Sequence, residues 1–350
     1  MSRRIQLAVY LGILAAIAAA SAWNFVRVSV LAAQQNREIV REIVARARVF
    51  PEIGPGVRAL KRDSSGRYYV LAEPATVIWI YGAAGKRVGQ IPNAGSGDAK
   101  IVYAEDIDVD SAGRLFVADR GANAVKIFKP DGSLDASVRV SAPTSLAALS
   151  GNEFAIASLR ADRLVTIYDE HGNMIRSFGD PTNASLAAGP NRYLSHGRLT
   201  GDPSGFIYFA FTYLPDATIR KYDRFGYAAY EISIPPPKES AAIATAPGVD
   251  IDIHKLAHRN QSSEVKPVIN AIGVDPASSE VWMAMGDELV HFDKDGNRIA
   301  AYRAATADGT RLEPSAILIE ADRILLAEER LGVFGFARPV EQAAPAAAKH

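Results

Sequence analysis

An aromatic residue followed four positions later by glycine recurs along this chain: Tyr81 with Gly85, Phe128 with Gly132, Tyr168 with Gly172, Tyr222 with Gly226, and Phe292 with Gly296. Each pair closes a short run of alternating apolar residues, the period of a strand. Glycine there supplies the positive φ that a tight strand reversal demands. The fullest copy, residues 103–133, reads YAEDIDVDSAGRLFVADRGANAVKIFKPDGS. Turns at 110–113, 121–123 and 130–132 separate its strands RLFVAD and AVKIFK. The same order of events returns at 63–85, 149–172, 202–226 and 275–296, and in a worn form with Phe334 at 319–338.

Copies spaced about 40 to 70 residues apart have the interval of propeller blades with insertions. One three- or four-stranded unit cannot bury its own faces, whereas six arranged radially bury each other's. The expected fold is therefore an all-β six-bladed β-propeller over residues 49–340. The run Phe116-Val117-Ala118-Asp119-Arg120, continuing through Asn123 and Val125-Lys126-Ile127-Phe128, resembles the NHL-repeat family of six-bladed propellers. That resemblance implies a fold and names no ligand. The first five units carry a fourth strand after the glycine turn, as in SLDASVRV and NRIAAYRA. The sixth runs into the Ala/Pro-rich tail 341–350, expected to be disordered. A segment within 45–53 is expected to supply the missing outer strand and close the ring.

The N-terminus predicts an address. Arg3 and Arg4 precede an uncharged, mostly apolar run at 5–26. Basic residues before such a run hold that end in the cytoplasm and send the rest outward. At about 22 residues the run is long enough to cross a bilayer. Ala20-Ser21-Ala22 also offers a signal-peptidase pattern. Two readings stay open: a membrane anchor within 1–33 holding the propeller on the periplasmic or extracytoplasmic side, or a cleaved signal releasing a secreted protein. Residues 34–48 place Ile39, Val40, Ile43, Val44 and Ala47 on one helical face, with Glu42 and Arg46 four apart, which predicts a juxtamembrane amphipathic helix.

Charge balances at 39 basic and 39 acidic residues, so nothing points to nucleic acid as a partner. Cysteine is absent, which excludes disulfides and thiolate metal sites and makes the redox compartment irrelevant. Two insertions, 179–197 and 235–268, fall between an outer strand and the next inner strand. Both therefore decorate the face on which inner strands begin, where binding loops are usually built.

Counting back to the start of each inner strand gives a ring of polar candidates around the axis. They are Arg58, Glu105 and Asp106, Thr144 with Ser145, Arg198 with His196 before it, Asn270, and Ser315 with Glu313 before it. Tyr193, Tyr213, Pro236, His254 and His258 lie in or beside the long loops and are candidates for touching a protein or peptide partner. Trp79, Tyr208 and Trp282 read as core between blades. The leading expectation is a protein-binding or scaffold module needing no cofactor, with service as an accessory subunit of a membrane complex a related role.

The alternative is a metal-dependent hydrolase or lyase. Gluconolactonase-like propellers hold one divalent cation with Glu, Asn and Asp, which implies calcium, magnesium or manganese here. Glu105 and Asn270 match two of those roles, and a third carboxylate is not evident. Amidating-lyase propellers use histidine-bound zinc, for which His196 and the pair His254 and His258 are the candidates. The run 108–113 with Asp119 is spaced like an EF-hand loop. Ala112 removes one ligand there, and the flanks are strands, so it reads as a turn.

Overall fold

The alternating apolar runs become strands whose burial falls from the axis outward. Tyr68–Ala72, Leu115–Asp119 and Ile207–Phe211 are buried along their whole length. Arg87–Ile91, Leu134–Arg139 and Met174–Phe178 are largely open to solvent. The computed structural model describes residues 30–32, 40–92, 97–182, 188–235 and 266–339.

Six antiparallel meanders follow one another in chain order. The first four blades begin with Val57–Arg62, Ala104–Val109, Pro143–Ala148 and Gly197–Gly201, and the last two with Ala271–Val274 and Pro314–Ile319. These innermost strands ring the axis. Five blades end on their own fourth strand, and the sixth borrows Ala47–Val49, which pairs antiparallel to Gly332–Ala337 with Arg48 opposite Phe334. The sequence placed the closing strand within 45–53, and it lies there. Phe50, at 1% exposure, then packs its ring 5.1 Å from Tyr68 and 4.7 Å from Tyr81, fastening blade six to blade one.

No blade has a core of its own. Tyr69 and Ile80 of blade one pack with Ile107 and Val117 of blade two. Phe116 and Val125 of blade two pack with Phe154 and Ile156 of blade three. The series continues round to Tyr68 and Tyr81 of blade one against Leu325 and Val333 of blade six. Tyr208 and Trp282 are buried between blades as expected, and Trp79 is half-buried beneath the Arg87 guanidinium.

The sequence reading of 34–48 as a helix requires correction. Arg41–Val44 is a strand parallel to Arg298–Ala305 of blade five, and Ala47–Val49 is the closing strand. The open backbone edges of those outer strands offer hydrogen bonds that outweigh a weak helical stripe. Val30–Ala32 adds a strand parallel to Ala228–Ile234 of blade four. The N-terminal segment thus meets the outer edges of blades four, five and six in turn. Among the described residues, no helix is long and apolar enough to cross a membrane. The apolar run 5–26 and the tail 341–350 lie outside the described residues, as does most of the second insertion with Pro236, His254 and His258. In the first insertion, Ala188–Leu194 forms a short helix that strand periodicity did not anticipate.

Candidate functional site

The residues that carry the strongest repeat signature serve the fold. Asp119 is fully buried, and its carboxylate accepts the backbone N–H groups of Val102, Tyr103 and Ala122 at 3.0, 2.9 and 3.1 Å. Lys126 Nζ stands 3.2 Å from the same carboxylate. Together they tie the entry to the inner strand of blade two onto its second turn. Asp110, within the EF-hand-like stretch 108–113 expected to be a turn, accepts the N–H groups of Ala112 and Arg114 and the Arg114 guanidinium.

At the axis the chain departs from simple alternation. Inner strands of blades one, two, three and six each carry a register shift near their start, at Val57/Ala59, Ala104/Asp106, Pro143/Ser145 and Pro314/Ala316. Such a bulge re-aims neighbouring side chains. It gives the sequence neighbours Glu105 and Asp106 separate roles. Glu105 turns to the mouth, where Arg58 meets it at 2.5 Å and Arg120 at 2.9 Å. Arg58, 3% exposed, also reaches Glu73 at 2.8 Å and lies over the Tyr103 ring. Burial works against the Arg58 charge, but Glu105, Tyr103 and Glu73 more than offset it and hold its pKa above the ordinary arginine value.

Asp106 lies deeper. Its carboxylate accepts the Ser145 hydroxyl at 2.5 Å and the Leu146 N–H at 3.2 Å, and Ser145 Oγ in turn accepts the Leu199 N–H at 2.8 Å. This relay links blades two, three and four around the axis. Burial pushes the Asp106 pKa up, against the opposing pull of Lys61, Ser145 and Arg198. Lys61, 3.0 Å from Asp108, is held above its ordinary value: burial opposes its charge, and Asp108 and Asp106 outweigh burial. Arg58, Lys61, Asp106, Asp108 and Arg198 all border an axial cavity of about 190 Å³.

A second hollow, about 240 Å³, opens between blades three and four on the loop-rich face. Thr144, Ser158 and Leu159 line one side, and Thr182, Asn191, Arg192 and His196 the other. His196 faces the Tyr213 ring at 5.6 Å, and Tyr213 stacks on Tyr193 at 4.6 Å. Burial drives the Tyr193 phenol upward in pKa, with Tyr213 adding to the shift.

No protein-family model matches this chain, and no curated protein does. Among solved structures, a catalytically inactive virginiamycin B lyase from Staphylococcus aureus, determined with quinupristin, is 14% identical, with 82% of each chain covered and a TM-score of 0.54. A streptogramin B lyase is 13% identical, covering 83% of this chain and 96% of that one, with a TM-score of 0.51. The WD40 repeats of RRP9 are 10% identical, covering 85% and 99%, with a TM-score of 0.54. These likenesses establish the propeller fold and nothing finer.

Within that propeller the candidates of the sequence part into several groups. Arg58, Asp106, Arg198 and Ser315 border the axial cavity, with Glu105 bonded to Arg58 at its mouth. Thr144 and His196 belong to the side cleft. Ser315 donates to the Val57 carbonyl at 2.7 Å and joins blade six to blade one. Glu313 is exposed beside the sixth inner strand. Tyr193, read as a surface contact, is 6% exposed and forms the floor beneath Tyr213.

The two residues matched to a cation, Glu105 and Asn270, are engaged within the protein. Glu105 faces two guanidinium groups, and the Asn270 carboxamide oxygen accepts the Gly286 N–H at 2.9 Å. No group of three acidic or histidine side chains able to share a metal occurs among the described residues. Sequence reasoning missed Lys61, Glu73, Tyr103, Asp108 and Arg120. Lys61 and Asp108 were accessible in principle as later residues of the same inner strands. Arg120 lies in the strongest repeat motif, where it was read for the fold alone, and Glu73 and Tyr103 reach the mouth from connections beside the strands.

Proposed function

We propose that this chain is a membrane-anchored, outward-facing propeller whose loop-rich face seats a segment of a partner protein in the cleft between blades three and four. The observation that carries this reading is the cleft itself. It places hydroxyl, amide and imidazole groups beside the apolar Leu159, Ala161 and Leu164, with Arg163 and Arg192 at its edge. Such a mixture suits an extended peptide, which presents backbone hydrogen-bonding groups and side chains together. The paired charges at the axis support a rigid scaffold in this role, since Arg58, Glu105, Asp106 and Ser145 bind blade to blade. The apolar run 5–26 behind Arg3 and Arg4 supports the anchor.

Purification of the full chain from membranes in mild detergent, followed by native mass spectrometry, tests the reading. Ala161→Trp, which fills the cleft, and Arg192→Glu, which reverses its edge charge, are expected to lose a stoichiometric protein partner that the unaltered chain retains. A partner set unchanged in both variants refutes the cleft as the binding site.

A further inference from the structure

Resting on the anchored reading, we infer a second interaction surface: the face opposite the cleft lies on the lipid bilayer, with Met174, Ile175, Phe225 and Tyr227 at the headgroup layer. Because each blade is an antiparallel meander, its first and third turns share one face, and the connections between blades lie on the other. Large exposed apolar side chains gather at the third turns. Val88 follows that turn in blade one, Met174 and Ile175 in blade three, and Phe225 and Tyr227 occupy it in blade four. Phe225 is 60% exposed and Tyr227 74%, with Ala228 and Ala229 open beside them. The Arg224 guanidinium lies 4.7 Å from the Phe225 ring centroid. An aromatic tip paired with a cation suits the boundary between acyl chains and phosphates.

The same turns carry charge of both signs. Asp169, Asp223 and Asp293 turn back to accept N–H groups of their own turns. Lys86, Arg87 and Arg224 are exposed, as are Asp131 and Asp295.

The course of the chain gives an independent reason. Val30–Ala32 runs parallel to Ala228–Ile234, with Val30 opposite Glu231. Its N-terminal end therefore points toward the turn at 223–227. The apolar run ends at Val26, so at most about 14 Å of chain separates it from Val30. Tyr227 precedes Glu231 by the same four residues. A tether of that length cannot carry the run farther than about 14 Å from the start of this strand, whose N-terminal end points to the aromatic turn. A spanning helix with so short a tether holds this face against the membrane and leaves the cleft facing away.

The absence of cysteine makes the test clean. Single cysteines at Met174, Phe225 and Tyr227, and a control at exposed Glu313 beside the inner-strand start of blade six, carry an environment-sensitive dye. The full chain is reconstituted into vesicles of phosphatidylglycerol and phosphatidylcholine with a headgroup nitroxide lipid. The chain is expected to float with the vesicles, and the three rim probes to be quenched about threefold more than the control, since interfacial side chains sit within the headgroup layer. Flotation with equal quenching at rim and control overturns the bilayer contact while the anchor stands. Failure to float overturns the anchor and the contact with it.

Discussion

Replacing Asp119 by asparagine tests whether the repeat signature is structural. The carboxylate is fully buried, accepts three backbone N–H groups and faces Lys126, itself 5% exposed. The amide keeps one acceptor oxygen and puts an N–H₂ where a donor already points, and it leaves a buried ammonium without its counter-charge. Breaking one side of a buried ion pair costs about 3–5 kcal/mol. With part of the hydrogen bonding retained, about 4 kcal/mol is expected, which for a propeller of roughly 290 residues lowers Tm by about 7 °C. Adding Lys126→Met removes the stranded charge and restores most of that loss, although Lys126→Met alone is destabilising by about 2 kcal/mol because the buried carboxylate keeps its N–H donors but loses its counter-charge. Thermal unfolding followed by tryptophan fluorescence reads all four members of the cycle. If the two substitutions simply add, the pair is not the reason Asp119 is needed, and the argument fails.

Phe50→Ala is expected to cost about 3–5 kcal/mol, the range for a fully buried aromatic, and to raise hydrogen exchange first in Ala47–Val49 and Gly332–Ala337, where the ring closes. Gly226→Ala lowers Tm and stays insoluble more often than Gly286→Ala, because Gly226 has φ +94° and a Cβ there would stand 2.5 Å from the Phe178 ring, while Gly286 has open space; equal Tm values would contradict this. On acidification, stability declines as pH falls below about 4, the ordinary carboxylate value. Burial pushes Asp63 and Asp275 up, but Ser65 and Arg67 for one, and the Ala277 N–H and Arg338 for the other, hold both below that value. Their contribution is complete above the unfolded pKa and is lost through the lower folded ones, so Arg338→Ala moves the acid midpoint upward in a circular-dichroism titration. Burial holds the Tyr69 phenol at about 12, so stability also falls as pH rises past about 10, where the unfolded phenol ionises.

The blades were legible because their determinants are local. A glycine at Gly132 or Gly226, an aromatic before it and alternation on either side specify a hairpin whatever surrounds it. The closing strand was legible too, since VFGFARPV runs into EQAAPAAAKH, which has no strand alternation. The axial network was half legible. Register put Arg58, Glu105, Asp106 and Arg198 near the axis, but the bulges that send Glu105 to Arg58 and Asp106 to Ser145 depend on how neighbouring inner strands crowd. Asn270 stands just before the fifth inner strand, and its amide oxygen accepts the Gly286 N–H, a partner that no motif announces. The stripe at 39–47 looked helical because so few apolar residues, five in all, satisfy several periods at once. What decided it was an edge of unpaired backbone on blades five and six, which lies more than 250 residues away in sequence and exists only once the ring is built. By itself the sequence determined what each unit would be. The tertiary structure decided which side chains meet, because every core and every site here lies between units.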